Sequence, residues 1–182
     1  MGLRGALAAL LLEGASHGYR LKATLEGELG PLWVTSASHV YLTLGRMQRD
    51  GLLSSRRIRQ QTLPDRQLLS LTPAGRAAAE RWLYESDDPD ENVLRLAVAR
   101  VVAPKRFTDV VTTIIEQRSA GLAELRQLRA EAGASFGREA IDAEIHRAQA
   151  DLRWAASLRD RAPAVVALPK ATHESRRLAR YG

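Results

Sequence analysis

Between residues 35 and 66 the chain gathers side chains suited to gripping a polyanion. Thr35, Ser36, Ser38 and His39 can hydrogen-bond base edges or phosphate oxygens. Arg56, Arg57, Arg59 and Arg66 add fixed positive charge a few residues further on. Arg46 and Arg49 lie between these sets, and Arg20 and Lys22 precede them as further phosphate contacts. No comparable constellation suits catalysis. His17, His39, His146 and His173 are scattered and form no HExxH or other ligand spacing, so no metal site is expected. The chain has no cysteine, which removes disulfides, thiolate ligands and a thiol nucleophile. It offers no Gly-rich phosphate loop and no paired carboxylates. The expectation is a binding protein without cofactor or metal, not an enzyme.

The elements that must position these residues can be read from periodicity. Leu3, Ala6, Leu7, Leu10 and Leu11 predict a first helix ending near Gly14. Ser16 is a candidate cap for a second, carrying Tyr19, Leu21, Leu25 and Leu29 and ended by Gly30-Pro31. After the extended Trp33-Val34 link, Thr35, Ser36 or Ser38 can cap a third helix to about Asp50, with Val40, Leu44 and Met47 on its buried face. Residues 52–59 and 67–71 read as strands joined through a Pro64-Asp65 turn, which places Arg57 and Arg59 on one face and Ile58 on the other. Thr72-Pro73 opens a fourth helix, since proline at its first position loses no helical hydrogen bond. A helix followed by a basic two-stranded ribbon is the winged form of the helix-turn-helix, in which a helix enters the major groove and a cationic wing lies beside it.

Composition is compatible with this. The 182 residues are 45% hydrophobic and 26% charged, as expected of a globular protein, and the 5% aromatic content leaves Leu, Ala and Val to build a helical core. Net charge is +6, but unevenly spread: +4 over residues 1–85, −1 over 86–162 and +3 over 163–182. A basic module joined to a neutral one suits a polyanion binder with a second task. The apolar start, with a single arginine, raises a signal peptide as an alternative, but Glu13 and the motif behind it favour a first domain helix. The chain is expected to be cytoplasmic.

After an acidic Ser86-to-Asp90 linker everything reads as helix: a short one over 93–102, a long one opened by Pro104, a break at Gly133 to Gly137, and another long one. Phe107, Val111, Ile114, Leu122 and Leu125 form one stripe, and Ile141, Ile145, Ala148, Leu152 and Ala155 the other. Stripes of this kind suit coiled-coil-like pairing with a second subunit, so Val111, Ile114, Ile141, Ile145 and Leu152 are the expected homodimer interface. The expected fold class is mainly α with a small two-stranded β wing. Its parts are a winged helix-turn-helix domain (1–85), a helical dimerisation and possible effector domain (86–162) and a basic tail (163–182).

The segments LLLEGASHGYRLKATLE, VYLTLGRMQRDGLL, LSLTPAG and NVLRLAVARVVAPKRF, in this order, resemble the PadR family of winged-helix transcriptional regulators. The sequence departs from the family pattern at Ser38-His39, Leu42, Gly45 and Leu69. The resemblance implies a homodimeric repressor on a palindromic double-stranded operator, with half-sites about one helical turn apart. It also matches Tyr41 to the family's helix tyrosine, as a phosphate contact or a half-buried packing residue. Ser36 and Ser38 remain open between base contact and simple capping. A small hydrophobic or aromatic effector between the domains or at the dimer interface is further implied, with Trp82, Phe107 and Trp154 as candidate walls. The alternatives are a ligand-independent regulator governed by a protein partner, and a ligand-sequestering protein that reads no operator.

Overall fold

The structure, a computed structural model, describes residues 2–30, 33–58, 66–102, 107–133 and 136–160. The 163–182 tail, Pro104, the Pro64-Asp65 turn and Arg59 lie outside the described residues. Helix α1 (Gly2–Leu10) runs into a short 3-10 turn, Leu11–Glu13. It is followed by α2 (Gly18–Leu29), α3 (Ala37–Arg49), strands β1 (Leu53–Ile58) and β2 (Arg66–Leu71), and α4 (Pro73–Glu85). A second 3-10 turn, Pro89–Glu91, leads to α5 (Asn92–Val102), and two 25-residue helices, α6 (Phe107–Glu131) and α7 (Phe136–Asp160), complete the order.

Helix α1 is the hub, in contact with α3, α4 and α5. Its alanines let neighbours approach: Ala6, Ala8 and Ala9 are buried beside Leu7 and Leu10. At Gly5 the approach is closest, since a Cβ there would stand 2.3 Å from the Trp82 ring. Val40, Leu44 and Met47 seat α3 against this core, as their spacing predicts, and Thr43 is buried with them. Strands β1 and β2 pair antiparallel from Leu53↔Leu71 to Ile58↔Arg66. One contiguous cluster runs from α1 through Val98 of α5 and Val110 of α6 to Ala155 of α7, across the expected boundary at residue 85.

Arg95 joins the two halves. Its side chain is fully buried on α5. Nε and Nη2 donate to the Leu83 carbonyl (3.2 and 2.7 Å), and Nη1 donates to Ser86 O (2.7 Å), Asn92 Oδ1 (3.0 Å) and Gln117 Oε1 (3.3 Å). The guanidinium thus satisfies carbonyls at the C-terminal end of α4, which the helix itself leaves unpaired. Burial holds its pKa below the usual arginine value, partly offset by the nearby Glu91 charge. Glu91 is a second clasp: its Oε2 accepts from Trp82 Nε1 (2.7 Å) and Ser86 Oγ (2.9 Å). The acidic linker is therefore an ordered turn fastened to both sides.

The long helices correct the expected dimer seam. Val111 and Ile114 are sealed in the main core. Ile145 is buried with Leu122 and Ala148, while Ile141 and Leu152 pack half-buried against that cluster. The stripes are consumed between α6 and α7 and against the body of the same chain. Arg118 pairs with Asp151, and Arg129 with Asp142, which fixes the register of the two helices. The hydrogen bond from Arg129 also holds the Asp142 carboxyl below its usual pKa.

Candidate nucleic-acid interface

Ser36 begins the site. Its extended backbone and side chain cap α3, with Oγ accepting from the His39 amide at 3.2 Å. The cap therefore occupies the Ser36 oxygen and leaves Ser38 and His39 exposed on the first turn. Free backbone N–H groups and the positive helix end meet solvent there, an arrangement that attracts phosphate. Thr35 departs from the expectation: it is 8% exposed, with its hydroxyl buried and turned away from any hydrogen-bond partner among the described residues. It cannot reach a groove from that position.

Further along α3, Tyr41 is 54% exposed, and Arg46 and Arg49 are exposed as well. Leu42, at 60% exposure, also stands on this face and was not among the expected contact residues. The signal was present: Leu42 is two residues from both Val40 and Leu44, hence on the opposite side of the helix. An exposed leucine here can meet a thymine methyl, the apolar feature of the major groove. Arg20 is exposed on α2, whereas the Lys22 ammonium is committed to Glu26 one turn on.

Arg56 and Arg57 are exposed on β1 beside this helix, and the Arg66 backbone pairs with Ile58 at the far end of the ribbon. The wing is anchored by an unexpected contact. Ser16 does not cap α2; its N–H donates to Leu69 O at 3.0 Å and its carbonyl accepts from Leu69 N at 2.8 Å. His17 holds the backbone N-cap position of α2, and its Nδ1 bonds Gln67 O at 2.9 Å. Tyr19 leaves the expected buried stripe and stacks on the His17 ring, centroids 6.0 Å apart. Tyr41, Gln48 and Gln67 consequently line one groove of about 300 Å³ between α3 and β2. The letters GASHG over 14–18 fit the nucleophile-elbow pattern GxSxG, but the local structure does not. Ser16 follows a 3-10 turn and bridges a strand, where an elbow needs a sharp strand-to-helix turn.

The expected effector walls do not enclose a common space. Trp82 and Phe107 are closed into the core, and Trp154 is 36% exposed on α7. None of the three lines the cavity of about 670 Å³ between α1, the start of α3 and the Asp88-to-Glu91 turn. Trp82 instead fills the space that Gly5 leaves above α1. Among the described residues no group of acidic, His or Cys side chains could hold a metal ion, and no helix is long and apolar enough to cross a membrane.

A model of the transcriptional regulator PadR-like family matches residues 7–81, the stretch from α1 through most of α4. A probable transcriptional regulator of Mycobacterium tuberculosis is 29% identical over 89 residues, covering 49% of this chain and 47% of that protein. The match thus spans about half the length of the mycobacterial relative. The negative transcriptional regulator PadR of Bacillus subtilis is 24% identical over 129 residues, 68% of this chain and 71% of that protein. The crystal structure of Bacillus subtilis PadR in complex with operator DNA is similar at 22% identity, with a TM-score of 0.42 over 88% of this chain and 99% of that one. Both relatives are named as regulators, in keeping with the expectation of a protein that is not an enzyme. The family's model thus lies on the winged segment itself, and over that stretch the chain is similar to the PadR-like transcriptional regulators.

Proposed function

We propose that the chain is a homodimeric, sequence-specific DNA-binding repressor that reads a palindromic operator and is released by a small effector. The observation that carries this reading is the exposed face of α3, where Ser38, His39, Tyr41, Leu42 and Arg46 stand clear of the core beside Arg56 and Arg57 of the wing. Polar tips and one apolar tip on a groove-width helix suit base edges, and the arginines suit phosphate. The repressor sense is supported by the Bacillus relative, which is named a negative regulator.

The test is a titration of the protein against DNA from its own upstream region and against scrambled DNA, at two salt concentrations. Selective binding is expected, with a log K against log salt slope of about −5, for roughly six neutralised phosphates per dimer. Equal affinity for both duplexes would sink the operator reading.

The dimer must use surface that the chain leaves open. Val93, Leu128, Phe136 and Trp154 are the large apolar side chains exposed on the described parts of α5 to α7, and Phe136 is 82% exposed. Phe136→Asp is expected to weaken self-association at least ~10-fold in sedimentation while leaving the melting temperature within about 2 °C, since exposed positions affect stability little. Unchanged association would move the interface elsewhere.

A further inference from the structure

We propose that Leu42 reads the 5-methyl group of a pyrimidine in the major groove, so that one position of each half-site accepts thymine or 5-methylcytosine and discriminates against the same bases without the methyl. The inference deepens the regulator reading above, and rests on it, by naming a chemical feature that α3 selects.

The middle of the exposed face of α3 is a single line of residues. Ser38, Leu42, Gly45 and Arg49 follow one another at steps of four, three and four, which sets them along one side of a helix. Val40, Thr43, Leu44 and Met47 are buried on the other side. Leu42, 60% exposed, is the large apolar side chain of that line. It stands between a serine and a glycine, and neither neighbour along the line reaches as far from the helix axis. The result is one apolar knob in a polar face.

Nothing inside the chain calls for a glycine at 45. A Cβ there would meet only Arg49 Nη1, at 3.9 Å, which is ordinary contact. Glycine weakens a helix interior and is put to use where the backbone must come close to a ligand. Leu42 and Gly45 are both departures from the family pattern, so knob and gap are particular to this chain.

Charge indicates what covers this face. Helix α3 carries no carboxylate, and Asp50, the acid that follows it, is paired with Arg4 at 2.8 Å. Arg46 and Arg49 are exposed on the helix, as are Arg56 and Arg57 on the adjoining strand. Cationic surroundings with one leucine at the centre suit a polyanion that carries an apolar point. Base edges in the major groove offer that point as the C5 methyl of thymine, and 5-methylcytosine places the same group on the same ring atom. With no Asp or Glu on α3, the usual acceptors for the cytosine amino group are missing, which leaves the methyl as the mark of the pyrimidine.

The test starts from duplexes that the full chain selects from a random library. Each thymine of the tightest duplex is replaced in turn by deoxyuridine, which removes the methyl and nothing else. At one symmetry-related pair of positions the affinity is expected to fall about fourfold for one replacement and about fifteenfold for both, the worth of one and two buried methyl groups. Cytosine at that pair is expected to bind more weakly still, and 5-methylcytosine to regain about fifteenfold over cytosine. Leu42→Ala is expected to erase the thymine–deoxyuridine difference there. Its melting temperature and salt slope should stay as in the wild type, because the change is at an exposed position and removes no charge. Gly45→Ala is expected to keep or raise the melting temperature while weakening the selected duplex about tenfold, through overpacking against the groove. A deoxyuridine series without such a position overturns the inference, as does a thymine–deoxyuridine difference that survives Leu42→Ala or full affinity in Gly45→Ala. Loss of self-association in Leu42→Ala, read by sedimentation, also overturns it, by assigning the leucine to a second copy of the chain. Selection that enriches no sequence fails the regulator reading and this inference with it, whereas a selected duplex indifferent to the methyl fails this inference alone.

Discussion

Arg95→Ala is expected to destabilise the chain by about 4 kcal/mol, a fall in melting temperature of roughly 10 °C for a protein of this size. The effect is large because the loss is not confined to one bond. Five donor contacts disappear together, and the Leu83 and Ser86 carbonyls, Asn92 Oδ1 and Gln117 Oε1 lose their shared donor inside the protein. Arg95→Met separates packing from pairing: it restores most of the volume but none of the donors, and is expected to remain well below the wild type. Arg100→Ala, on the exposed side of the same helix, should cost less than about 0.5 kcal/mol. Thermal and urea melts of the three variants decide the matter. If Arg95→Met melts with the wild type, water can replace the guanidinium, and the clasp between α4 and α5 is not what holds the halves together.

Gly75→Ala is expected to be nearly as damaging, although it adds a single methyl group. A Cβ at residue 75 would lie 2.0 Å from the Leu52 carbonyl oxygen and 2.9 Å from its carbon. The obstacle is backbone, which cannot rotate aside as a flexible side chain can. Either α4 or the base of β1 must retreat, and three bonds meet at that joint. Thr72 N donates to Leu52 O at 3.0 Å, Thr72 Oγ1 donates to Gly51 O at 2.7 Å, and Gly75 N caps on Thr72 Oγ1 at 3.0 Å. Overpacking with loss of part of this set is expected to cost about 3 kcal/mol or more. Amide hydrogen exchange should show the loss first along β1 and β2, with α6 and α7 less affected. A Gly75→Ala protein of wild-type stability and unchanged wing exchange would show that the joint has slack the distances do not suggest.

Most elements were legible because their signals are local. The Ser36 cap, the Val40, Leu44 and Met47 stripe and the Thr72-Pro73 start act within a turn or two of themselves, and each stands where spacing put it. Contacts over long sequence separation were not legible. Nothing near Arg95 announces a buried charge, since its partners at Leu83 and Gln117 are 12 and 22 residues away. Ser16 looked like a cap because serine before a helix usually is one, whereas its partner Leu69 lies on β2. The stripes of α6 and α7 revealed that they are buried but not by what; α5, α4 and each other supply the cover that a second subunit was expected to give. The exposed face of α3 followed the same rule. Helix periodicity leaves Ser38, His39, Tyr41 and Arg46 exposed, whereas the non-helical link ahead of the cap turns the Thr35 side chain inward.

The Ser16–Leu69 bridge makes the reading head indivisible. It joins the chain before α2 to the second wing strand, and α2 packs on α3, so a tilt of the wing carries the recognition helix with it. In the proposed dimer each subunit would therefore meet DNA as a stencil of fixed pitch rather than as two independently adjustable fingers. On that reading, accommodation to operators of differing half-site spacing would fall to the joint between two such stencils, and operator choice would be a matter of assembly geometry as much as of side chains.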